Sequence, residues 1–460
     1  MAYTRAMHQR SWLSLLTLPL VAAFTYPVMF QPVQDAPRAE VRPVVQDPLA
    51  GLSDIQDVLT LIRDNYVDKP DMEKVINGGI QAVLERAHPL NSYLTPEDLH
   101  LPDPGPAGIG ITVIKRQIYA QVVAVVPDSP AAKAGFQVSD MVRKLDGESI
   151  GPMSPWTLDR RLRGPAGSEL TLLRYAAANG DLKKVTVKRE RILPPPVTVR
   201  KDPRATVLAL ADLTPGRAAE LRNVLRDLNH KLPLVLDLRQ CAGGSLAEAA
   251  LVAGLFVGNG PVATVEETGK PAAAVSVVPA NLPPFATVAV LQGGYTLGPA
   301  EALSSALKKQ SIKVFGERSY GLGVERTRFM LRQGGAAEVV TKRWVGAGGE
   351  FLGAGGEKPE AQKPKDTFKG KGPALPESPT GYGVAPDYVI KAAKPDVSAA
   401  QGAKPEAKPE AKAEEDPLPK ILEILGAKAK AAAMVAPVQV LRTIAMSRSS
   451  LAGLRVRESA

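Results

Sequence analysis

A largely apolar run, Ala286-Thr287-Val288-Ala289-Val290-Leu291, reads as a buried strand and stops at the glycine pair Gly293-Gly294. Within a few residues, Tyr295-Thr296-Leu297-Gly298-Pro299-Ala300-Glu301-Ala302-Leu303 turns into a helix. Pro299 suits the first helical turn, where a missing backbone N–H does no harm. A second strand, Ile312-Lys313-Val314-Phe315, then enters a glycine loop, Tyr320-Gly321-Leu322-Gly323. Strand, sharp turn, helix, strand and glycine loop in this order form the frame in which an α/β enzyme presents a nucleophile beside a base. Neither group stands in an obvious place within it.

The stretch resembles the active-site region of the carboxyl-terminal processing, or tail-specific, serine peptidases. In that family the turn into the helix reads roughly Ser-Ala-Ser-Ala-Ser-Glu, with the middle serine as nucleophile. The glycine loop reads Phe-Gly-Lys-Gly-x-x-Gln, with the lysine as general base and the glutamine orienting it. Glu301 matches the glutamate, which sets Gly298 at the nucleophile's position. Leu322 then falls at the lysine and Arg326 at the glutamine. The resemblance further implies that the residue after the nucleophile donates its backbone N–H to the oxyanion, and Pro299 has none to give. Glycine offers no attacking oxygen and leucine no lone pair, so the family's mechanism lacks its working parts here. The competing reading is a displaced triad. Thr296 is the nearest hydroxyl, while Ser304, Ser305, Lys308 and Lys309 follow on a solvated or packed helical face.

Length allows two or three domains. With 41 Pro and 40 Gly, long unstructured connections are expected. The formal net charge is +10, much of it near the ends, and no aromatic-interleaved basic patch points to nucleic acid. A single cysteine, Cys241, excludes an internal disulfide framework and reads as a buried thiol. Arg5, His8 and Arg10 precede an uncharged run from Trp12 to Phe30, a secretory pattern. Export to the periplasm or cell envelope follows, with residues 1–30 as signal sequence or anchor; an uncleaved segment would tether the chain to the membrane. Residues 31–50 form a Pro-rich spacer.

Residues 51–104 read as a small helical domain, with Ile55, Val58, Leu59 and Ile62 at helical spacing and Asp71 opening a second helix. His88-Pro89-Leu90-Asn91-Ser92-Tyr93-Leu94 resembles the family's helix-ending turn, with His88 as a turn residue. Residues 105–192 resemble a PDZ domain. Gly108-Ile109-Gly110-Ile111 is similar to its carboxylate-binding loop, whose backbone N–H groups face a peptide's terminal carboxylate. Ile109 and Ile111, with Phe136 nearby, suggest an apolar pocket for the last side chain.

The peptidase-like core is expected over residues 193–392, with a surface insertion at 346–382. Strands are read at Thr206–Leu210 and Pro233–Arg239, and the turn Gln240-Cys241-Ala242-Gly243-Gly244 follows the second. In the family this turn donates the other oxyanion N–H, which assigns Gly243 and Gly244 to that position; Asp237 and Arg239 fix the turn. Gly383-Val384-Ala385-Pro386-Asp387 resembles the family's Gly-x-x-Pro-Asp. Residues 393–415 repeat Ala-Lys-Pro-Glu as a charged linker, and 416–460 hold a terminal helix and a basic tail.

The expected fold is therefore α/β: a tail-specific-peptidase (ClpP/crotonase-like) core with a PDZ domain and a small N-terminal helical domain. The expected function is a non-catalytic homologue binding polypeptide C-termini through Gly108, Ile109, Gly110 and Ile111, as adaptor, scaffold or regulator. An active tail-specific peptidase or a second copy of the chain are further expected partners. The alternative is an active serine-type endopeptidase with a displaced nucleophile. No cofactor, metal or nucleic-acid motif is expected.

Overall fold

The computed structural model describes residues 51–116, 118–280, 282–353, 382–390 and 416–426. The expected export segment, spacer, linker and basic tail lie outside the described residues. The chain divides at Pro70. Among the described residues ahead of that point stands one helix, α1 (Gly51–Asn65), with none of its residues buried. Among the described residues no helix is long and apolar enough to cross a membrane.

The second unit opens with α2 (Met72–Ala87), capped by the Asp71 carboxylate on the Lys74 N–H. The turn after it is fixed by side chains. The His88 ring accepts the Leu90 N–H at 3.1 Å, and the Asn91 amide donates to the Leu84 carbonyl and accepts the Val340 N–H. Strand β1 (Ser92–Leu94) then pairs with a strand of the peptidase-like core, Ser92 opposite Glu338. Residues 71–104 are thus built into the core's sheet rather than standing as a separate helical domain.

The PDZ domain begins with β2 (Ala107–Gly108), β3 (Ile111–Arg116), β4 (Tyr119–Val125) and β5 (Met141–Leu145). Helix α3 (Pro155–Leu162) follows, then β6 (Glu169–Tyr175), β7 (Leu182–Lys188) and β8 (Glu190–Arg191). The sheet runs β3-β4-β5-β6-β7, and β2 pairs with β8. Its core gathers Ile109, Val122, Leu145, Leu158, Leu170 and Leu172. Strand β3 is an edge, leaving one side of its ladder unpaired within the sheet.

The core carries β9 (Thr198–Asp202), β10 (Ala205–Ala209), α4 (Arg217–Arg226), β11 (Leu234–Asp237), α5 (Leu246–Ala253), β12 (Pro261–Glu267) and β13 (Ala273–Ser276). It continues with β14 (Val288–Gln292), α6 (Pro299–Lys309), β15 (Lys313–Gly316), β16 (Val324–Met330), β17 (Ala336–Gly346) and β18 (Tyr388–Val389). One sheet has the order β9-β10-β11-β14-β15-β18, parallel from β10 onward. A parallel sheet is covered on both faces, so the middles of its strands carry apolar residues facing both ways. Leu208, Leu236, Val290 and Val314 face the cluster under α4, α5 and α6, while Val207, Val235, Ala289 and Phe315 face the helix at 418–426 through Leu418 and Ile421. The second, antiparallel sheet joins β1, β17, β12 and β13, with β16 on β17.

The expected insertion opens later than Gly346. Glycines at 346, 348 and 349 mark a tight return that looks like loop in composition. The Gly346 N–H instead bonds the Glu350 carbonyl at 2.8 Å and the Leu352 N–H the Trp344 carbonyl at 2.9 Å. Leu352 is fully buried. Tyr382 is buried as well, so only residues 354–381 of the expected insertion lie outside the described chain.

Candidate functional site

Gly298 is the residue before α6, with φ +58° and ψ −116°. L residues with a side chain rarely adopt this backbone, so glycine is at ease there. Space is not the constraint, because an added Cβ would meet only the Trp344 ring, at 3.9 Å. Glu301, fully buried one turn into α6, accepts the Gly298 N–H at 2.9 Å. The same carboxylate accepts the N–H groups of Gly321 at 2.6 Å and Leu322 at 2.8 Å, and the Ser319 hydroxyl at 2.6 Å. One side chain therefore clasps the turn and the glycine loop together. Burial pushes Glu301 up to about 7, against the pull of those four donors.

Leu322 is half-buried in an apolar cluster with Leu297, Tyr320, Ala242 and Tyr295. Two PDZ residues complete the cluster, Ile114 of β3 and Val123 of β4. Polar contacts frame it. Arg116 reaches the Tyr320 hydroxyl, and Tyr295 bonds Ser139 at 2.6 Å and Gln121 at 3.3 Å. Beside Ala242 a cleft of about 460 Å³ opens between the PDZ strand end at Val125–Val126, the linker prolines and Asp237–Arg239.

The turn after β11 lies against Gly298. The Leu297 N–H bonds the Cys241 carbonyl at 3.0 Å. Gly244 is required by close approach, since a Cβ there would sit 2.0 Å from the Leu213 carbonyl oxygen. Gly243 faces open space, and among the described residues its N–H has no partner. One of the two expected oxyanion donors is present; Pro299, at the first position of α6, cannot supply the other. Asp237 and Arg239 pair with each other at 2.8 Å across that turn.

Arg326 does not join Leu322. Successive strand residues face opposite ways, and past a bulge at Thr341 of β17 the Arg326 guanidinium turns outward to Glu338, at 3.0 Å, and to the Leu90 carbonyl. Glu325 points instead to the Trp344 indole N–H, at 3.0 Å, and to Lys342, at 2.9 Å. Sequence reasoning missed Glu325, Lys342 and Trp344, because their meeting depends on the pairing of β16 with β17. The Glu325 carboxylate holds the Lys342 amine above its ordinary value, which keeps it charged. The other hydroxyls are committed. Thr296 donates to the Leu238 carbonyl at 2.7 Å and Ser304 to Gln292 at 2.6 Å, both buried. Cys241 is fully buried, and burial raises its thiol.

In the PDZ domain, Gly110 has φ +82°, and a Cβ there would overlap Ser129 at 2.2 Å. The Ile109 and Gly110 carbonyls accept from Ala131 and Val126. Both residues are buried, yet among the described residues neither N–H has a partner. Buried backbone donors are rarely left so. Ile109 and Phe136 belong to the domain's core rather than to an open pocket, while Ile111 is half-buried beside them.

Residues 205–362 match peptidase family S41, and residues 121–173 match the PDZ domain. A "Carboxy-terminal-processing protease" of Bartonella bacilliformis is 27% identical over 350 residues, covering 72% of this chain and 80% of the relative. An S41 peptidase segment and a PDZ segment make this chain similar to the carboxyl-terminal processing peptidases. A "Probable CtpA-like serine protease" of Staphylococcus aureus strain N315 is 27% identical over 321 residues, 68% of this chain and 64% of the relative's length. The solved photosystem II D1 C-terminal processing protease superposes with a TM-score of 0.55 at 20% identity, over 73% of this chain and 86% of that one. The fold is thus the family's α/β core with its PDZ domain.

Proposed function

We propose that this chain is a non-catalytic member of its family, which captures polypeptide C-termini through the PDZ loop and serves as adaptor, scaffold or regulator in the cell envelope. The observation that carries the reading is the Glu301 clasp. A single carboxylate holds the N–H groups of both Gly298 and Leu322, so the residues at the family's nucleophile and base positions are neighbours. Neither side chain offers an oxygen or an amine. The partnerless Ile109 and Gly110 N–H groups support the binding half, because a terminal carboxylate is the acceptor they lack. The relatives are named as proteases; in this chain recognition outlives cleavage. The uncharged run from Trp12 to Phe30 supports export. An active family member or a second copy is the partner such an adaptor would serve.

Calorimetry with matched peptides tests the binding half. A peptide ending in an apolar residue should bind as the free acid at about micromolar affinity, and its C-terminal amide far more weakly, since charge-assisted bonds are lost. Equal affinity for acid and amide refutes it. For the catalytic half, the purified protein should neither cleave tailed substrates nor take a serine-directed fluorophosphonate. Labelling of a defined hydroxyl, with turnover lost on its mutation, would establish the displaced-nucleophile enzyme instead.

A further inference from the structure

Arg189, between β7 and β8, is buried, yet among the described residues no carboxylate pairs with it. Its guanidinium is spent on neutral acceptors. Nε donates to the Leu162 carbonyl at 3.3 Å and Nη2 to the Arg161 carbonyl at 2.7 Å. Nη1 donates to the Ser168 hydroxyl and the Glu169 carbonyl, each at 3.0 Å. Gly164 makes room for the side chain, since a Cβ there would come within 2.9 Å of its Cδ and Nε. Burying a cation is costly, and Asp146 offsets that cost only from a distance, without an ion-pair contact.

Its place in the fold points to the ligand. Gly108 of β2 pairs antiparallel with Glu190 of β8, and Arg189 is the residue next to Glu190 as Ile109 is the residue next to Gly108. The Leu162 carbonyl that accepts Arg189 also lies 3.9 Å from where a Gly108 Cβ would sit. One carbonyl therefore separates the cation from Gly108, at the start of the loop whose Ile109 and Gly110 N–H groups lack partners among the described residues. The C-terminal end of α3 lies at the same spot, and its carbonyls present negative potential that repels an anion. Arg189 sits on two of those carbonyls and reverses the sign.

We propose that Arg189 is the electrostatic specificity determinant of the PDZ loop, supplying the positive field that makes it select a terminal carboxylate over a neutral chain end. It acts from behind the loop without touching the peptide, as a positioning charge. The proposal rests on the C-terminus reading above and adds the residue that sets its acid-over-amide preference.

The test uses the full chain with free-acid and amide forms of one apolar-ended peptide. Arg189→Gln keeps donors for the carbonyls but removes the charge; Arg189→Lys keeps the charge. In the Gln variant the free acid should lose about tenfold in affinity while the amide is unchanged, as expected when an opposite charge close to a carboxylate is removed. The Lys variant should recover most of that loss, which a purely structural cap would not predict. A folded Gln variant with the full acid-to-amide ratio overturns the proposal and leaves the C-terminus reading standing. Equal binding of acid and amide by the unaltered protein overturns both. Should the Gln variant fail to fold, the Arg189 Nε–H resonance of the unaltered protein decides. It should shift with the acid and not with the amide, and identical responses to the two overturn the proposal.

Discussion

Replacing Glu301 by glutamine should remove a specific pH dependence from the stability of the core. Glu301 is fully buried, and its carboxyl rises from the ordinary 4.5 to about 7. In the folded protein the proton is therefore held more tightly than in the unfolded chain. The resulting stabilisation is complete below pH 4.5 and is lost as pH rises through 7. The rise corresponds to about 3 kcal/mol, of which about 2.5 kcal/mol separates pH 5 from pH 8. Urea unfolding at these two pH values, followed by Trp344 fluorescence in a Trp12→Phe, Trp156→Phe background, reads the difference. The unaltered side chain should lose about 2.5 kcal/mol more than the glutamine variant between pH 5 and pH 8, whatever other groups contribute to both. The variant itself should be weaker at pH 5 by about 2 kcal/mol, because an amide NH₂ meets N–H donors that the carboxyl had accepted. Identical pH dependence in the two proteins would refute the reasoning, and with it the view that Glu301 is desolvated.

Gly298→Ser should cost about 1–3 kcal/mol through the strained backbone at φ +58°, since the space for Cβ is open. Thermal unfolding measures the cost, and no hydrolysis of tailed substrates should appear. Gly244→Ala should cost more than about 3 kcal/mol, because its Cβ would meet the Leu213 carbonyl oxygen at 2.0 Å; Gly243→Ala, in open space, should cost about 1 kcal/mol by the same assay. Leu322→Lys should speed proteolytic nicking of the linker at Ile192–Pro196 severalfold, as an amine enters the apolar cluster between PDZ and core. An unchanged nicking rate would mean that Leu322 does not hold the two together.

Much of this was legible in the chain because the parallel strands carry their own signal. Leu234–Asp237 and Val288–Gln292 are apolar on both faces, and the glycines after them fix where each strand must end. Glu301 in register with Gly298 was equally readable, since residues three apart on a first helical turn meet. Arg326 was not. Its facing relative to β17 depends on a bulge in that partner strand, where Thr341 is the extra residue, and nothing in Val324–Met330 advertises it. The assignment of 346–382 failed for a different reason. Glycine marks both loops and close backbone approach, and Gly353, whose Cβ would lie 2.4 Å from the Gly323 carbonyl oxygen, is a case of the second. The place of Arg189 behind the carboxylate loop depends on the pairing of β2 with β8, a long-range contact without local pattern.

Glu301 raises a question of its own, because a buried carboxylate is costly. Its four donors come from both sides of the site, and three are backbone N–H groups of the turn and the glycine loop. Without an acceptor these buried donors would each cost about 1–3 kcal/mol. The residue is thus required by the fold of the frame, independently of what the frame once carried. The side chains at the working positions are free of that constraint, and one has taken another task. Leu322 adds apolar surface where Ile114 and Val123 of the PDZ domain rest, and burial of such a side chain contributes about 1.5–3 kcal/mol when complete. A lysine in that position would have to bury its amine beneath β3 and β4 or push them away. Leu322 therefore seats the PDZ domain on the core, and the edge strand β3 has its Ile114 in that seat.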